Sequence, residues 1–131
     1  MHKIMMNEKT KVGYIKEKVL HLCTSDKLKL TLNQPIFISD GNVEHIKKEH
    51  PIEYENYFSE LSNILSNPDY VGTHPNGRSL EYLKFFGDGP ERILVAIRAT
   101  KRGTLFVRSL YSVSEEKFNS YIESGTIKKV E

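Results

Sequence analysis

The sequence predicts one α+β domain, with N-terminal helices packed on an antiparallel sheet and a short helix near the C-terminus. Its 131 residues, 38% hydrophobic and 27% charged, suit a single globular unit with its own core. Apolar side chains between Tyr54 and Leu65 recur at helical spacing. From Tyr70 onward the pattern changes to short runs cut by turn residues, which is how an antiparallel meander reads.

In chain order, Ile15, Val19, Leu22 and Cys23 line one side of a short amphipathic helix. Leu28, Leu30 and Leu32 alternate with Lys29 and Thr31 and predict a strand, and residues 36–38 a second extended piece after Pro35. Asp40 is the expected N-cap of a helix carrying Val43 and Ile46. That helix must stop at His50, because Pro51 disfavours helical angles in the residue before it. Pro51 then opens the next helix, where its missing N–H costs nothing. Glu53 and Glu55 sit at the positive end of that helix dipole. Tyr54, Tyr57, Phe58, Leu61, Ile64 and Leu65 form its apolar face, and Asn67-Pro68 ends it. Strands are expected over 70–74, 80–86, 93–100 and 105–111, with turns at Pro75-Asn76-Gly77, Gly87-Asp88-Gly89-Pro90 and Lys101-Arg102-Gly103. Ser114 caps a helix over 115–124 with Val113 and Phe118 as a hydrophobic staple, and Gly125 stops it. Residues 126–130 are a candidate edge strand.

Composition excludes several classes. A lone cysteine, Cys23, forbids an internal disulfide. No apolar run approaches the ~20 residues of a membrane span, and residues 1–11 contain no apolar signal-peptide core. The expected setting is cytoplasmic, with no membrane partner. No phosphate-binding glycine loop and no Cys/His metal framework is present, so no metal or other cofactor is expected. Charge is uneven: residues 51–77 hold four acids and no base, whereas all five arginines fall within 78–108. Arginine suits bidentate phosphate contacts, so an anionic ligand, with nucleic acid first, is the pointed reading and a solvated hairpin surface the plain one.

The densest chemical cluster is His45-Ile46-Lys47-Lys48-Glu49-His50-Pro51. Five positions is about 140° around a regular helix, so the two rings converge only if Pro51 ends the helix at His50. There His50 would sit at the negative end of the helix dipole, suited to a general acid or a phosphate contact, with His45 as the general base. The plain alternative is a pair of surface histidines beside Lys47 and Lys48. On the strands, alternation puts Tyr82 and Lys84 on one face, and Arg98 ends an otherwise apolar run. Ser109 and Tyr111 share a face, with Arg108 pointing the other way. One sheet face must cover the helices. The other would present Lys84, Arg98 and either Arg108 or the Ser109–Tyr111 pair, a choice that register decides. His74 reads as a turn residue beside Pro75.

Taken in order, His45-Ile46-x-x-x-His50-Pro51, Asn67-Pro68-Asp69-Tyr70-Val71-Gly72, Leu83-Lys84, Leu94-Val95-Ala96-Ile97-Arg98 and Ser109-Leu110-Tyr111 resemble the phage-associated nuclease domains of the barnase–EndoU–colicin–RelE superfamily. The resemblance spans residues 13–126. It implies helices on a curved antiparallel sheet, with the site on the exposed sheet face. It also implies a metal-independent RNase of toxin or phage type, able to act in a recipient or host cell. RNA, with tRNA one candidate, would be the substrate, and an antitoxin or immunity protein the partner. Carried over, His45 and His50 match the histidine motif, Lys84 and Arg98 the phosphate-holding strand positions, and Ser109 and Tyr111 the polar pair of the last main strand. Arg108, Lys48 and Tyr82 are the expected substrate contacts.

The chemistry stands apart from the resemblance. A ribose 2′-hydroxyl attacks its neighbouring phosphate once one group takes a proton, another gives one and cations hold the phosphorane. The competing readings are an inactive RNA- or protein-binding module on the same scaffold, and a phage regulatory protein whose basic strands meet an acidic partner.

Overall fold

The computed structural model describes residues 8–23, 25–87 and 91–131. The described residues form seven strands: β1 (Lys9–Tyr14), β2 (Pro35–Ser39), β3 (Tyr70–Thr73), β4 (Ser79–Phe86), β5 (Glu91–Ala99), β6 (Leu105–Ser112) and β7 (Ile127–Lys129). They form one sheet in the spatial order β1-β2-β6-β5-β4-β3-β7. Neighbours pair antiparallel, except that β2 runs parallel to β6 through Ile36↔Leu105 and Phe37↔Phe106. The helices are α1 (Glu17–Leu22), α2 (Asp40–Glu49), α3 (Pro51–Tyr57), α4 (Leu61–Ser66) and α5 (Glu115–Ser124). The architecture is α+β, with the N-terminal helices on the sheet and α5 near the C-terminus. Among the described residues no helix is long and apolar enough to cross a membrane.

Local chemistry accounts for most boundaries. Ser39 caps α2, its Oγ accepting from the Asn42 amide while Asn42 Oδ1 accepts from the Ser39 amide, so the cap lies one residue before the expected Asp40. His50 has left helical angles at ψ 62°, in keeping with the bias of a residue before proline against the helical region, and Pro51 is the first residue of α3. Ser114 caps α5 through the Lys117 amide, and Gly125 leaves it at φ 77°. Three expectations fail. The helix expected from Pro51 to Asn67 is interrupted by a 3₁₀ turn at Phe58–Glu60, which turns the chain before α4. Residues 28–32 are a loop, not a strand: the Ser25 Oγ takes the Leu28 amide and Gln34 Oε1 takes the Thr31 amide, so side chains replace a ladder. Strand β1 was not foreseen. Within the expected Gly87–Pro90 turn, residues 88–90 lie outside the described residues.

The sheet buries one face under the helices. Ile36, Leu80, Tyr82, Val95, Ile97 and Val107 point there and pack with Ile15, Ile46, Ile64 and Leu65, all 0–1% exposed. Each fully buried side chain of this kind contributes about 1.5–3 kcal/mol before chain entropy is charged. On the opposite face, α5 covers only one end, where Phe118 and Tyr121 pack on Leu83, Leu94 and Ile127. Beyond α5 that face carries the exposed Arg98 and Arg108 and the half-buried Ala96, Phe106 and Ser109, and its outer border along β6 is built by α2 and α3.

Candidate functional site

Register decides which side chains meet on the open face. The pairings Gly72↔Glu81, Glu81↔Ala96 and Ala96↔Ser109 set one row across β3, β4, β5 and β6. Paired residues of neighbouring strands point the same way, so Glu81 stands between glycine and alanine, with Ser109 beyond. The next row toward α5 holds Tyr70, Leu83, Leu94 and Tyr111, and the next row away from it holds Ser79, Arg98 and Phe106.

Glu81 dominates the chemistry of this face. Only 3% of it is exposed, and among the described residues neither a hydrogen bond nor an ion pair satisfies its buried Oε1. Burial pushes its carboxyl above the ordinary carboxylate range, with His74 and Lys117 pulling it partly back. An unpaired buried carboxyl costs stability, and such a cost is typical of a functional position. Glu81 is not singled out by its sequence context, because a charged residue in a strand reads as solvent-facing. The available signal was its place inside Leu80-Glu81-Tyr82-Leu83, four consecutive buried residues of a central strand.

Around Glu81 stand proton donors and cations. Tyr111 is half-buried, and burial, with Glu81 and Tyr121 adding, pushes its phenol up to about 12. The His50 ring stacks on Tyr111, with centroids 5.3 Å apart and an interplanar angle of 28°. The Lys117 Nζ lies 5.4 Å from the Tyr111 centroid and 5.5 Å from that of Tyr121. Behind His50, the Glu53 carboxylate accepts from the Ser112 hydroxyl at 2.8 Å and amide at 3.3 Å. Slight burial raises the Glu53 pKa, but the Ser112 donors and the nearby His50 outweigh it and hold this carboxyl below its usual range. The contact ties the start of α3, and with it His50, to the end of β6.

A β-bulge makes the next feature. Register shifts between Ala96 and Ile97, so that Val107 pairs with Ile97 and Ser109 with Ala96, leaving Arg108 as the extra residue. Arg108 therefore does not point away from Ser109 and Tyr111, as strict alternation implied. It lines one pocket of about 450 Å³ with Arg98, Phe106, Ser39 and Asn42, while Ser109 and Tyr111 keep their places on the same face.

Other predicted residues fall elsewhere. Tyr82 is fully buried on the helix-covered face and is not a surface contact. Lys84 pairs with Ile93 on that same covered face, opposite to Arg98, and its Nζ donates to the Asn67 carbonyl at 2.7 Å at the end of α4. The expectation that Lys84 and Arg98 share the open face is therefore corrected: they are fourteen residues apart on adjacent strands whose register gives them opposite faces. His45 is exposed on α2 and makes no hydrogen bond, ion pair or ring contact among the described residues; Lys48 is likewise exposed. The proline-terminated helix brings one imidazole, not two, against the sheet. His74 is the turn residue expected, its Nδ1 accepting from the Asn76 amide, and it also faces Glu81 electrostatically. Cys23 is buried and its thiol is raised to about 11, chiefly by burial, which leaves it inert. Among the described residues no group of three or more His, Cys, Asp or Glu side chains is placed to hold a metal ion.

Comparison with known proteins supplies one match. The model of a family described as phage-Barnase-EndoU-ColicinE5/D-RelE like nuclease 3 matches residues 10–120, a span that includes His50, Glu81, Arg98, Arg108, Ser109, Tyr111 and Lys117. No match was found among curated proteins or among solved structures.

Proposed function

The chain belongs to the phage-Barnase-EndoU-ColicinE5/D-RelE like nuclease 3 family, and from that footing we propose that it is an endoribonuclease working by 2′-hydroxyl attack. The observation that carries this reading is the buried, unpartnered Glu81 carboxyl on the open sheet face, beside Lys117, Tyr111 and the stacked His50.

In the proposed reaction Glu81 takes the proton of the ribose 2′-hydroxyl. The O2′–P bond forms, the P–O5′ bond breaks, and His50 gives its proton to the departing 5′-oxygen. The products are a 2′,3′-cyclic phosphate and a free 5′-hydroxyl. Each acid–base group supplies about 10²–10⁴-fold. Lys117, Arg98 and Arg108 hold the phosphorane charge, and Ser109 and Tyr111 donate hydrogen bonds to its oxygens. His45, offered by the sequence as the base, yields that role to Glu81, because Glu81 alone is desolvated and lies in the row with Ser109. The reaction so written uses no metal and no cofactor. An antitoxin or immunity protein acting on this enzyme would have to cover the same face.

The test is cleavage of an end-labelled RNA and of the same sequence as DNA, with the product ends analysed for the cyclic phosphate. Cutting of RNA alone, lost in both Glu81→Gln and His50→Ala, supports the reading. Cutting of DNA, or cutting that survives Glu81→Gln, overturns it. Binding of RNA without any cutting would favour a silent module.

A further inference from the structure

Next to the Glu81 row lies a second set of side chains that the proposed reaction leaves mostly unused. The row Ser79–Arg98–Phe106 continues through the parallel pairing onto Phe37 of β2. The Phe37 and Phe106 rings lie tilted at 43° with centroids 6.1 Å apart, both half-buried, and neither belongs to either apolar core cluster. The Lys9 Nζ sits 4.5 Å from the Phe37 centroid. Arg98 and Arg108 are exposed beside Phe106, and neither makes a hydrogen bond or ion pair among the described residues. Beyond Arg98 the surface continues into a pocket of about 640 Å³ lined by Lys27, Arg78 and Lys101. Two aromatic side chains outside both core clusters, beside cations that make no ion pair among the described residues, make a poor surface for a protein to leave bare.

We propose that this strip is a stacking subsite for single-stranded nucleic acid, in which a base next to the scissile bond lies on Phe106 and Phe37 while Arg98 and Arg108, which also meet the scissile phosphate in the proposed reaction, hold the phosphates on either side of that base. The inference rests on the nuclease reading for its position along the substrate, but not for its chemistry. Successive rows on one sheet face are two residues apart, about 6.6 Å along a strand, a step comparable to the reach from one nucleotide to the next. A base can reach these rings only when it is free of its complement, because paired and stacked bases hide their faces. Phenylalanine rings accept any base, because every base has a π-face, so the subsite selects strandedness and not sequence. An acidic protein would satisfy the arginines but would gain little from two flat rings set beside them.

The experiment uses the full chain and a short labelled 2′-O-methyl oligoribonucleotide, which lacks the attacking hydroxyl and so reports binding without cleavage. Anisotropy is read for the single strand and for the same strand annealed to its complement. Phe106→Leu, which keeps an apolar side chain on β6, should weaken single-strand binding about 10-fold and leave duplex binding unchanged. Arg98→Gln and Arg108→Gln should each lower the slope of log affinity against log salt by about one. Equal single-strand binding by Phe106→Leu and wild type overturns the subsite, as does an equal loss for the duplex. The parallel cleavage assay separates the two readings. Wild type that binds single strands through Phe106 but cuts nothing retains the subsite and defeats the nuclease. Wild type that cuts, with a Phe106→Leu variant equally fast on dinucleotide and longer RNA, retains the nuclease and defeats the subsite.

Discussion

Replacing Glu81 by glutamine should make the protein more stable and less active at once. Glu81 is 3% exposed and its Oε1 has no partner, so its charge is carried in a site that solvates it poorly. An unsatisfied buried polar group costs about 1–3 kcal/mol. Glutamine has nearly the same shape but remains polar, so it recovers only part of that cost, about 1–2 kcal/mol, or about 3–8 °C in melting temperature for a domain of this size. The sign follows from the raised carboxyl. A group whose folded pKa lies above its unfolded value favours folding in acid, and that contribution is lost as pH rises through the folded pKa. The gain of Glu81→Gln should therefore be larger at pH 7 than at about pH 2.5, well below the ordinary carboxylate value, where the wild-type carboxyl is protonated in both states. Thermal melts at the two pH values measure it, and initial cleavage rates should fall about 10²–10⁴-fold. A variant that melts lower than wild type at pH 7 would mean that the carboxylate has a favourable partner, and the account of Glu81 as a strained base would be refuted.

Other substitutions probe the remaining parts. His50→Ala should cost about 10²–10⁴-fold in rate, while His45→Ala, on the exposed side of α2, should leave the rate unchanged; initial rates on one RNA compare the two. Tyr111→Phe keeps the ring beneath His50 and, because the phenol is pushed up to about 12, should lower the rate without moving either limb of a pH–rate profile between pH 5 and 9. Gly72→Ala should destabilise the fold by about 1–3 kcal/mol or more, because the added Cβ would come within 1.8 Å of the Thr126 carbonyl oxygen; a chemical denaturation midpoint measures the loss. Glu53→Gln should weaken the hold on Ser112 by less than about 1 kcal/mol, since the pair is exposed. Its lowered carboxyl makes that contribution present at neutral pH and lost as pH falls through the folded value, which melts across pH 3–7 would follow.

What could be read from sequence was local. The stop at His50, the start at Pro51, the caps at Ser114 and Gly125 and the meander from Tyr70 onward each depend on a few adjacent residues. What could not be read was long-range. Strand β1 carries Lys-Thr-Lys-Val-Gly-Tyr, too polar to alternate visibly, and exists because β2 offers it an edge. The parallel join of β2 to β6 links residues nearly seventy positions apart. Conversely the 28–32 run alternates well but finds side-chain acceptors first. The same division runs through the site. His50, Arg98, Ser109 and Tyr111 announce themselves by type and spacing. Lys84 and Glu81 exchange importance because only pairing tells which face each takes, and a slip of one residue inverts the answer.

Two small departures from regularity assemble the open face. Without Pro51, α2 would continue and carry His50 around its axis by the ordinary 100° per residue, away from Tyr111. The break at ψ 62° instead turns the chain so that the His50 ring stacks on Tyr111 and Glu53 reaches Ser112. Without the bulge in β6, strict alternation would force a choice between Arg108 and the Ser109–Tyr111 pair. One extra residue puts the guanidinium and both hydroxyls on one side. Glu81 needs neither device: it is buried in its row between Gly72 and Ala96, whose small side chains leave room for its carboxyl. Enlarging Ala96 to valine should therefore close the gap between Glu81 and Ser109 and slow cleavage of RNA. It should leave the stacking of bases on Phe106, one row away, intact. Single-strand binding that falls together with the rate would show instead that the two rows act as one site.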